Sequence, residues 1–152
     1  SLTRVDWALD TLKQVIDENY SGSQTVYFMP WAYAEGGRWD TGEVFSRTEM
    51  QQIIRSNSLH LAQELDVTIA PVGLAFHEAI TNGFEWQTLM HWDKTHPSPE
   101  GTYLALNTIY ATLFQESTEF IRFSAGLEGD IALQLRLLGS STVLDSLELW
   151  NI

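Results

Sequence analysis

Residues 91–101 read His91-Trp92-Asp93-Lys94-Thr95-His96-Pro97-Ser98-Pro99-Glu100-Gly101. Proline fixes its own φ and disfavours helical backbone in the residue before it, so Pro97 and Pro99 keep the residues before Ser98 out of a helix. Ser98 can then cap a helix whose first position is Pro99. The pattern therefore predicts a tight loop that leads directly into a helix.

Two side chains of this loop suggest acid–base chemistry. Asp93 and His96 lie three residues apart, and in a tight turn the carboxylate can reach back to the imidazole. It would accept the Nδ1 proton and leave Nε2 free as a general base, as in the Asp–His part of a hydrolytic triad. We therefore predict that Asp93 and His96 are catalytic residues.

The same residues allow two other interpretations. Asp93 and His96 can form a structural ion pair in a turn that caps the helix. His91, Asp93 and His96 can also be zinc ligands, with His77 as a further donor. No metal site is predicted, because no further donor follows at a recognisable spacing.

The loop and the helix after it resemble the C-terminal catalytic block of the SGNH (GDSL-type) hydrolases, through the pattern Asp93-x-x-His96-Pro-Ser-x-x-Gly-x-Tyr-Leu. The resemblance extends upstream through residues 26–31, 50–65 and 70–73, and downstream to about residue 114. In that family the Asp and His of this block complete a triad with a serine near the N-terminus. The resemblance implies ester hydrolysis through an acyl-enzyme, in which Asp93 orients His96 and no cofactor is needed.

The sequence also departs from this family. The Gly-Asp-Ser block that carries the nucleophile does not occur, and neither do the oxyanion-hole glycine and the Gly-x-Asn block. We therefore expect residues 1–116 to be the C-terminal part of a hydrolase domain, with residues 117–152 as a helical extension of the same domain. The alternative is a non-catalytic ligand-binding or structural domain. A Gly-Asp-Ser block upstream of Ser1 in the reading frame would support the enzyme.

The order of secondary structure predicts an α/β fold. Hydrophobic periodicity and capping signals predict helices over residues 5–20, 46–65, 72–80, 98–114, 130–138 and 142–150, and strands over 25–29 and 67–70. The last two helices are predicted to be split at Gly139-Ser140-Ser141. Strand–helix alternation implies a parallel sheet with helices on both faces. The family resemblance makes this a three-layer αβα, flavodoxin-like architecture without its N-terminal part.

Several tryptophans lie at the predicted sheet edge where sites of parallel sheets form. Tryptophan faces stack on sugar rings and acyl groups, so we predict that Trp31, Trp39 and Trp92 bind substrate. This mildly favours an O-acylated carbohydrate, while lipid and small acyl esters remain open as substrates. The other interpretation is that these rings cover the strand ends as part of the core.

The composition limits the possible partners and classes. A formal net charge of −12 argues against binding to nucleic acid or to an anionic membrane surface. The longest apolar runs are strand-sized, so no membrane span is expected. With no cysteine, the chain has no disulfide framework and no thiol nucleophile, and the compartment stays open.

A missing N-terminal half would leave apolar surface uncovered. One of the two predicted strands would expose an unpaired edge, and the helices beside it would show apolar faces. The side chains of Val26, Phe28, Val67 and Ile69 are poorly suited to water. We therefore expect the chain to self-associate or to bind a complementary N-terminal chain.

Overall fold

The computed structural model describes residues 2–20 and 22–152. Its elements, in chain order, are α1 (Leu2–Asn19), β1 (Val26–Phe28), β2 (Gly37–Arg38), β3 (Val44–Phe45), α2 (Arg47–Leu65), β4 (Thr68–Ala70), α3 (Val72–Thr81), α4 (Trp86–Leu89), α5 (Pro99–Phe114), α6 (Gly129–Leu144) and a 3₁₀ helix (Leu147–Trp150). Helix predominates, and the predicted mixture of α and β structure is confirmed.

The parallel sheet is small. In the described ranges it consists of β1 and β4, with Val26 opposite Thr68 and Phe28 opposite Ala70. A second, antiparallel pair joins β2 to β3 between the predicted strand over residues 25–29 and the predicted helix over residues 46–65. The predicted parallel pairing of the two main strands is therefore confirmed, on the scale of two strands.

The starts of two helices follow from their sequences. At α2 the Glu49 N–H donates to Ser46 Oγ at 3.2 Å, and the Ser46 N–H donates to Glu49 Oε2 at 2.7 Å, which is a complete capping box. At α5 the Gly101 N–H donates to Ser98 Oγ at 3.0 Å, and Pro99 occupies the first helical position. Both predicted starts are confirmed.

Helix α5 lies between two groups of buried side chains. One group joins α5 to α3, α4 and α6 through Phe76, Leu89, Leu104 and Leu135. The other includes Met29, Ile69, Ala111, Val143 and Trp150, so it joins the sheet to the C-terminal helices. Because α5 contributes to both groups, the helix that follows the predicted catalytic loop is fixed by the packed interior along most of its length.

The predicted break at Gly139-Ser140-Ser141 is wrong, because α6 runs through it without interruption. A Cβ on Gly139 would lie 3.0 Å from the Cβ of Asn107 and 3.1 Å from the backbone N of Thr108. Glycine at position 139 therefore allows α6 to lie directly against α5 at this point. Ser140 remains helical and donates from Oγ to the Arg136 carbonyl at 2.7 Å.

The two strands differ in their exposure to solvent. Val67, just before β4, and Ile69 within it are buried. Phe28 of β1 is 42% exposed. Within the described residues neither strand has a second strand partner. Helices and the C-terminal segment cover the side chains of β4, whereas part of β1 remains accessible.

A candidate catalytic Asp–His site

The segment from residue 91 to residue 96 is a closed loop held by its own backbone. Met90 and Pro97 pair in an antiparallel bridge at its base. Inside the loop the His91 N–H donates to the His96 carbonyl at 2.8 Å, and the Lys94 N–H donates to the His91 carbonyl at 2.9 Å. These bonds fix the path of the backbone between the two predicted catalytic residues.

The end of the loop is anchored on α4, a short helix that the sequence analysis missed. Leu89, the last residue of α4, accepts the Ser98 N–H at 3.0 Å. A Cβ on Gly101 would lie 2.1 Å from the same Leu89 carbonyl oxygen. Glycine at position 101 therefore allows the first turn of α5 to lie directly against the end of α4. This contact gives the Pro-Ser-x-x-Gly part of the motif a structural role.

Asp93 binds three hydrogen-bond donors. Its Oδ1 accepts the N–H of Thr95 at 3.0 Å and the N–H of His96 at 2.9 Å. Its Oδ2 lies 2.7 Å from His96 Nδ1, so the predicted contact between the two side chains is confirmed. The backbone N–H of His96, followed by that of Thr95 and the His96 side chain, lowers the pKa of Asp93 to about 2.

This arrangement determines which nitrogen of His96 is available for chemistry. Because the ionised carboxylate of Asp93 only accepts hydrogen bonds, Nδ1 must carry a proton in the 2.7 Å contact. In the neutral imidazole, Nε2 then has the free lone pair. The His96 side chain is 74% exposed, so an approaching group can reach it. The site can therefore take up a proton at Nε2 while Asp93 stabilises the resulting imidazolium.

The segment that follows β1 lies against this loop. The Trp31 Nε1–H donates to the Thr95 carbonyl at 2.8 Å, and the Ala34 N–H donates to the Lys94 carbonyl at 3.0 Å. The side chains of Glu35 and Lys94 form an ion pair. The sequence carries no signal for these contacts, since they join positions that are far apart along the chain.

The three predicted substrate-binding tryptophans have different surroundings. Trp31 is half-buried and stacks on Phe76, with ring centroids 4.8 Å apart. Trp92 belongs to the loop itself and is 89% exposed. Trp39 packs on Phe45 and lines a groove of about 460 Å³ along α2. Contacts to the loop are thus seen for Trp31, while Trp39 belongs to the β2–β3 hairpin.

The possible metal ligands do not form a cluster. Across residues 2–20 and 22–152, no three His, Asp or Glu side chains converge in a way that could hold a metal ion. The Nδ1 atom of His77 lies 3.5 Å from Arg47 Nη1, in a contact between α3 and α2. Within the same residues no helix is both long and apolar enough to cross a bilayer.

Comparison of the chain with family models, with curated proteins and with solved structures gives no match.

Proposed function

We propose that this chain supplies the Asp–His half of the triad of an SGNH-type serine ester hydrolase. The observation that supports this most directly is the 2.7 Å contact between Asp93 Oδ2 and His96 Nδ1, combined with an exposed imidazole. The pattern that continues into α5 supports the family assignment. In this proposal the strands β1 and β4 belong to a larger parallel sheet, which the N-terminal part of the domain completes. That sheet is the middle layer of a three-layer αβα, flavodoxin-like fold.

The proposed reaction proceeds through an acyl-enzyme. As a serine Oγ attacks the ester carbonyl carbon, His96 Nε2 takes the serine proton, and Asp93 stabilises the imidazolium. The proton then passes from Nε2 to the leaving alkoxide oxygen as the C–O bond breaks. In the second half, Nε2 takes a proton from water, which attacks the acyl carbon, and returns a proton to the serine oxygen.

The proposed substrate is an O-acylated carbohydrate. Trp92 offers an exposed indole face next to Asp93, and such a face can stack on a sugar ring. A non-catalytic ligand-binding function is the second candidate. The groove beside Trp39 favours it, because that surface needs neither Asp93 nor His96.

The test uses the full reading frame that contains this chain, expressed with and without substitutions at the loop. A fluorophosphonate probe should label one serine, and His96→Ala should abolish both the labelling and ester hydrolysis. His91→Ala is the matched control, since it removes a neighbouring imidazole from the same loop and should leave labelling intact. The 152-residue chain alone should hydrolyse p-nitrophenyl acetate no faster than buffer does.

Two results would contradict the enzyme. One is a full-length protein that is neither labelled nor active on esters; ligand binding that survives His96→Ala would then support the second candidate. The other is labelling that His96→Ala leaves unchanged, because the serine would then have another base. Turnover by the 152-residue chain alone, lost in His96→Ala, would show that the nucleophile is within these residues.

A further inference from the structure

The two backbone N–H groups that hold Asp93 belong to two consecutive peptide groups. The N–H of His96 shares a planar peptide with the carbonyl of Thr95, and the N–H of Thr95 shares one with the carbonyl of Lys94. Both peptide bonds are trans, so each N–H points away from the carbonyl oxygen of the same plane. Fixing a carbonyl therefore also fixes the direction of the N–H on the opposite side.

Both of these carbonyl oxygens are bound by the segment after β1. The Thr95 carbonyl accepts the Trp31 Nε1–H at 2.8 Å, and the Lys94 carbonyl accepts the Ala34 N–H at 3.0 Å. On the other side of the same planes, the two N–H groups meet Asp93 Oδ1 at 2.9 and 3.0 Å. Two continuous paths thus run from the segment through a peptide to the carboxylate, and hydrogen bonds in such chains polarise one another.

The segment that holds the loop is itself held by the interior. The Trp31 ring lies nearly parallel to Phe76, which is buried. The Ala32 N–H donates at 2.8 Å to Oε1 of Gln51, another buried side chain. The Met29 carbonyl accepts the Gly73 N–H at 2.9 Å. The indole N–H therefore comes from a fixed position and can define where the Thr95 carbonyl lies.

We propose that Trp31 is a positioning residue, whose indole N–H orients the Thr95–His96 peptide so that its N–H binds Asp93. The importance of this role for catalysis rests on the proposed function, whereas the role itself concerns only the geometry of the loop. Trp31 acts through the loop, so its place in the site is explained without contact between its ring and a substrate. The first and largest cause of the low Asp93 pKa, the N–H of His96, is the group that Trp31 orients.

The test is the titration of Asp93 in Trp31→Phe, which keeps an aromatic ring over Phe76 and removes the N–H. The Asp93 carboxyl carbon is followed by NMR from neutral pH downward, as far as the amide spectrum remains that of the folded protein. The pKa of Asp93 should rise from about 2 towards its ordinary 3.8, by roughly half a unit to one unit.

Trp150→Phe is the matched control. The Trp150 Nε1–H also donates to a backbone carbonyl, that of Thr142, at 3.0 Å, and its ring is buried. Trp150 lies more than 50 residues after the loop in the sequence. This variant should lose stability and leave the Asp93 titration unchanged. An Asp93 titration that is the same in folded Trp31→Phe as in the unsubstituted protein would overturn the proposal.

A second measurement needs no variant and remains decisive if Trp31→Phe does not fold. In the unsubstituted protein, the indole N–H signal of Trp31 should begin to move at the low pH at which Asp93 starts to take up a proton, and that of Trp150 should not. A Trp31 signal that is insensitive to the state of Asp93 would contradict the coupling. Neither measurement depends on ester hydrolysis. The positioning role of Trp31 can therefore be confirmed or refuted even if the activity assay of the proposed function fails.

Discussion

Substituting Gly101 by alanine tests whether the close contact between α4 and α5 is what the motif's glycine provides. Alanine forms helix better than glycine, by at most about 1 kcal/mol, so on an exposed helix the change would be stabilising. At position 101, however, the new methyl carbon would lie 2.1 Å from the Leu89 carbonyl oxygen and 3.0 Å from Phe76 Cζ. A backbone carbonyl cannot rotate away as a side chain can, so α5 itself must shift.

The size of the effect follows from these two opposing contributions. Overpacking a well-packed interior costs roughly 1–3 kcal/mol, and a backbone obstacle places this site near the upper end. After subtraction of the gain in helix propensity, the free energy of unfolding should fall by about 2 kcal/mol. For a chain of this length, that corresponds to a melting temperature lower by roughly 4–8 °C. The Ser98 N–H bond to Leu89 should weaken as well, because the methyl group crowds the same carbonyl oxygen.

Thermal and urea unfolding of Gly101→Ala measure this prediction, with Gly129→Ala as the matched control. Gly129 is the first residue of α6, and a Cβ there would meet nothing within 4 Å. Alanine at position 129 should therefore be neutral or stabilising by up to about 1 kcal/mol. If Gly101→Ala unfolds at the same temperature as Gly129→Ala, the close approach of α5 to Leu89 does not account for the glycine.

Two further predictions concern acid and association. Because the pKa of Asp93 is lowered, its ionised form stabilises the fold above its ordinary pKa of 3.8, and this contribution should be lost as pH falls from 3.8 to about 2. The urea concentration at the midpoint of unfolding, measured across that pH range, should therefore fall less in Asp93→Asn than in the unsubstituted protein. An equal fall in both proteins would contradict the assignment. The most exposed large apolar side chains include Trp7, Trp92 and Phe120, and part of β1 is accessible. We therefore propose that the 152-residue chain self-associates unless a complementary N-terminal chain covers these surfaces. Light scattering at micromolar concentration should give a mass above 17.2 kDa, and a monodisperse monomer that melts cooperatively would contradict the proposal.

The features that the sequence predicted correctly depend on contacts within a few residues. Ser46 caps α2 through Glu49, three positions ahead, and Ser98 caps α5 through Gly101 at the same spacing. Asp93 meets His96 three positions away. In each case the interacting side chain and its partner are visible in one short stretch, so residue type and spacing carry most of the information.

The features that it missed depend on distant partners. Gly139 lies inside α6 and does not end a helix. Its role is to leave room for Asn107 and Thr108 of α5, which lie directly beside it. The indole of Trp31 reaches Thr95, 64 positions further along the chain, and no local pattern marks that pair. Tertiary contacts such as these distinguish a glycine that breaks a helix from one that allows a close contact, and they reveal the hydrogen bond of Trp31 to the loop, neither of which the local sequence shows.

The contact between Trp31 and the Asp93 loop can be traced to a single pair of strands. Because β1 and β4 are parallel, the residues after both strands emerge at the same edge, where sites of such sheets form. Trp31 follows β1 and Phe76 follows β4, which explains why the two rings meet there. Gly73 allows that meeting, since a Cβ at position 73 would lie 1.9 Å from the Pro30 carbonyl oxygen. The Trp31 indole, fixed in this way, donates to the Thr95 carbonyl and so orients the His96 N–H that binds Asp93. One strand pair and one close glycine contact therefore place the Trp31 indole beside the loop, while the bonds within the loop and the close approach of Gly101 to Leu89 hold Asp93 and His96 together.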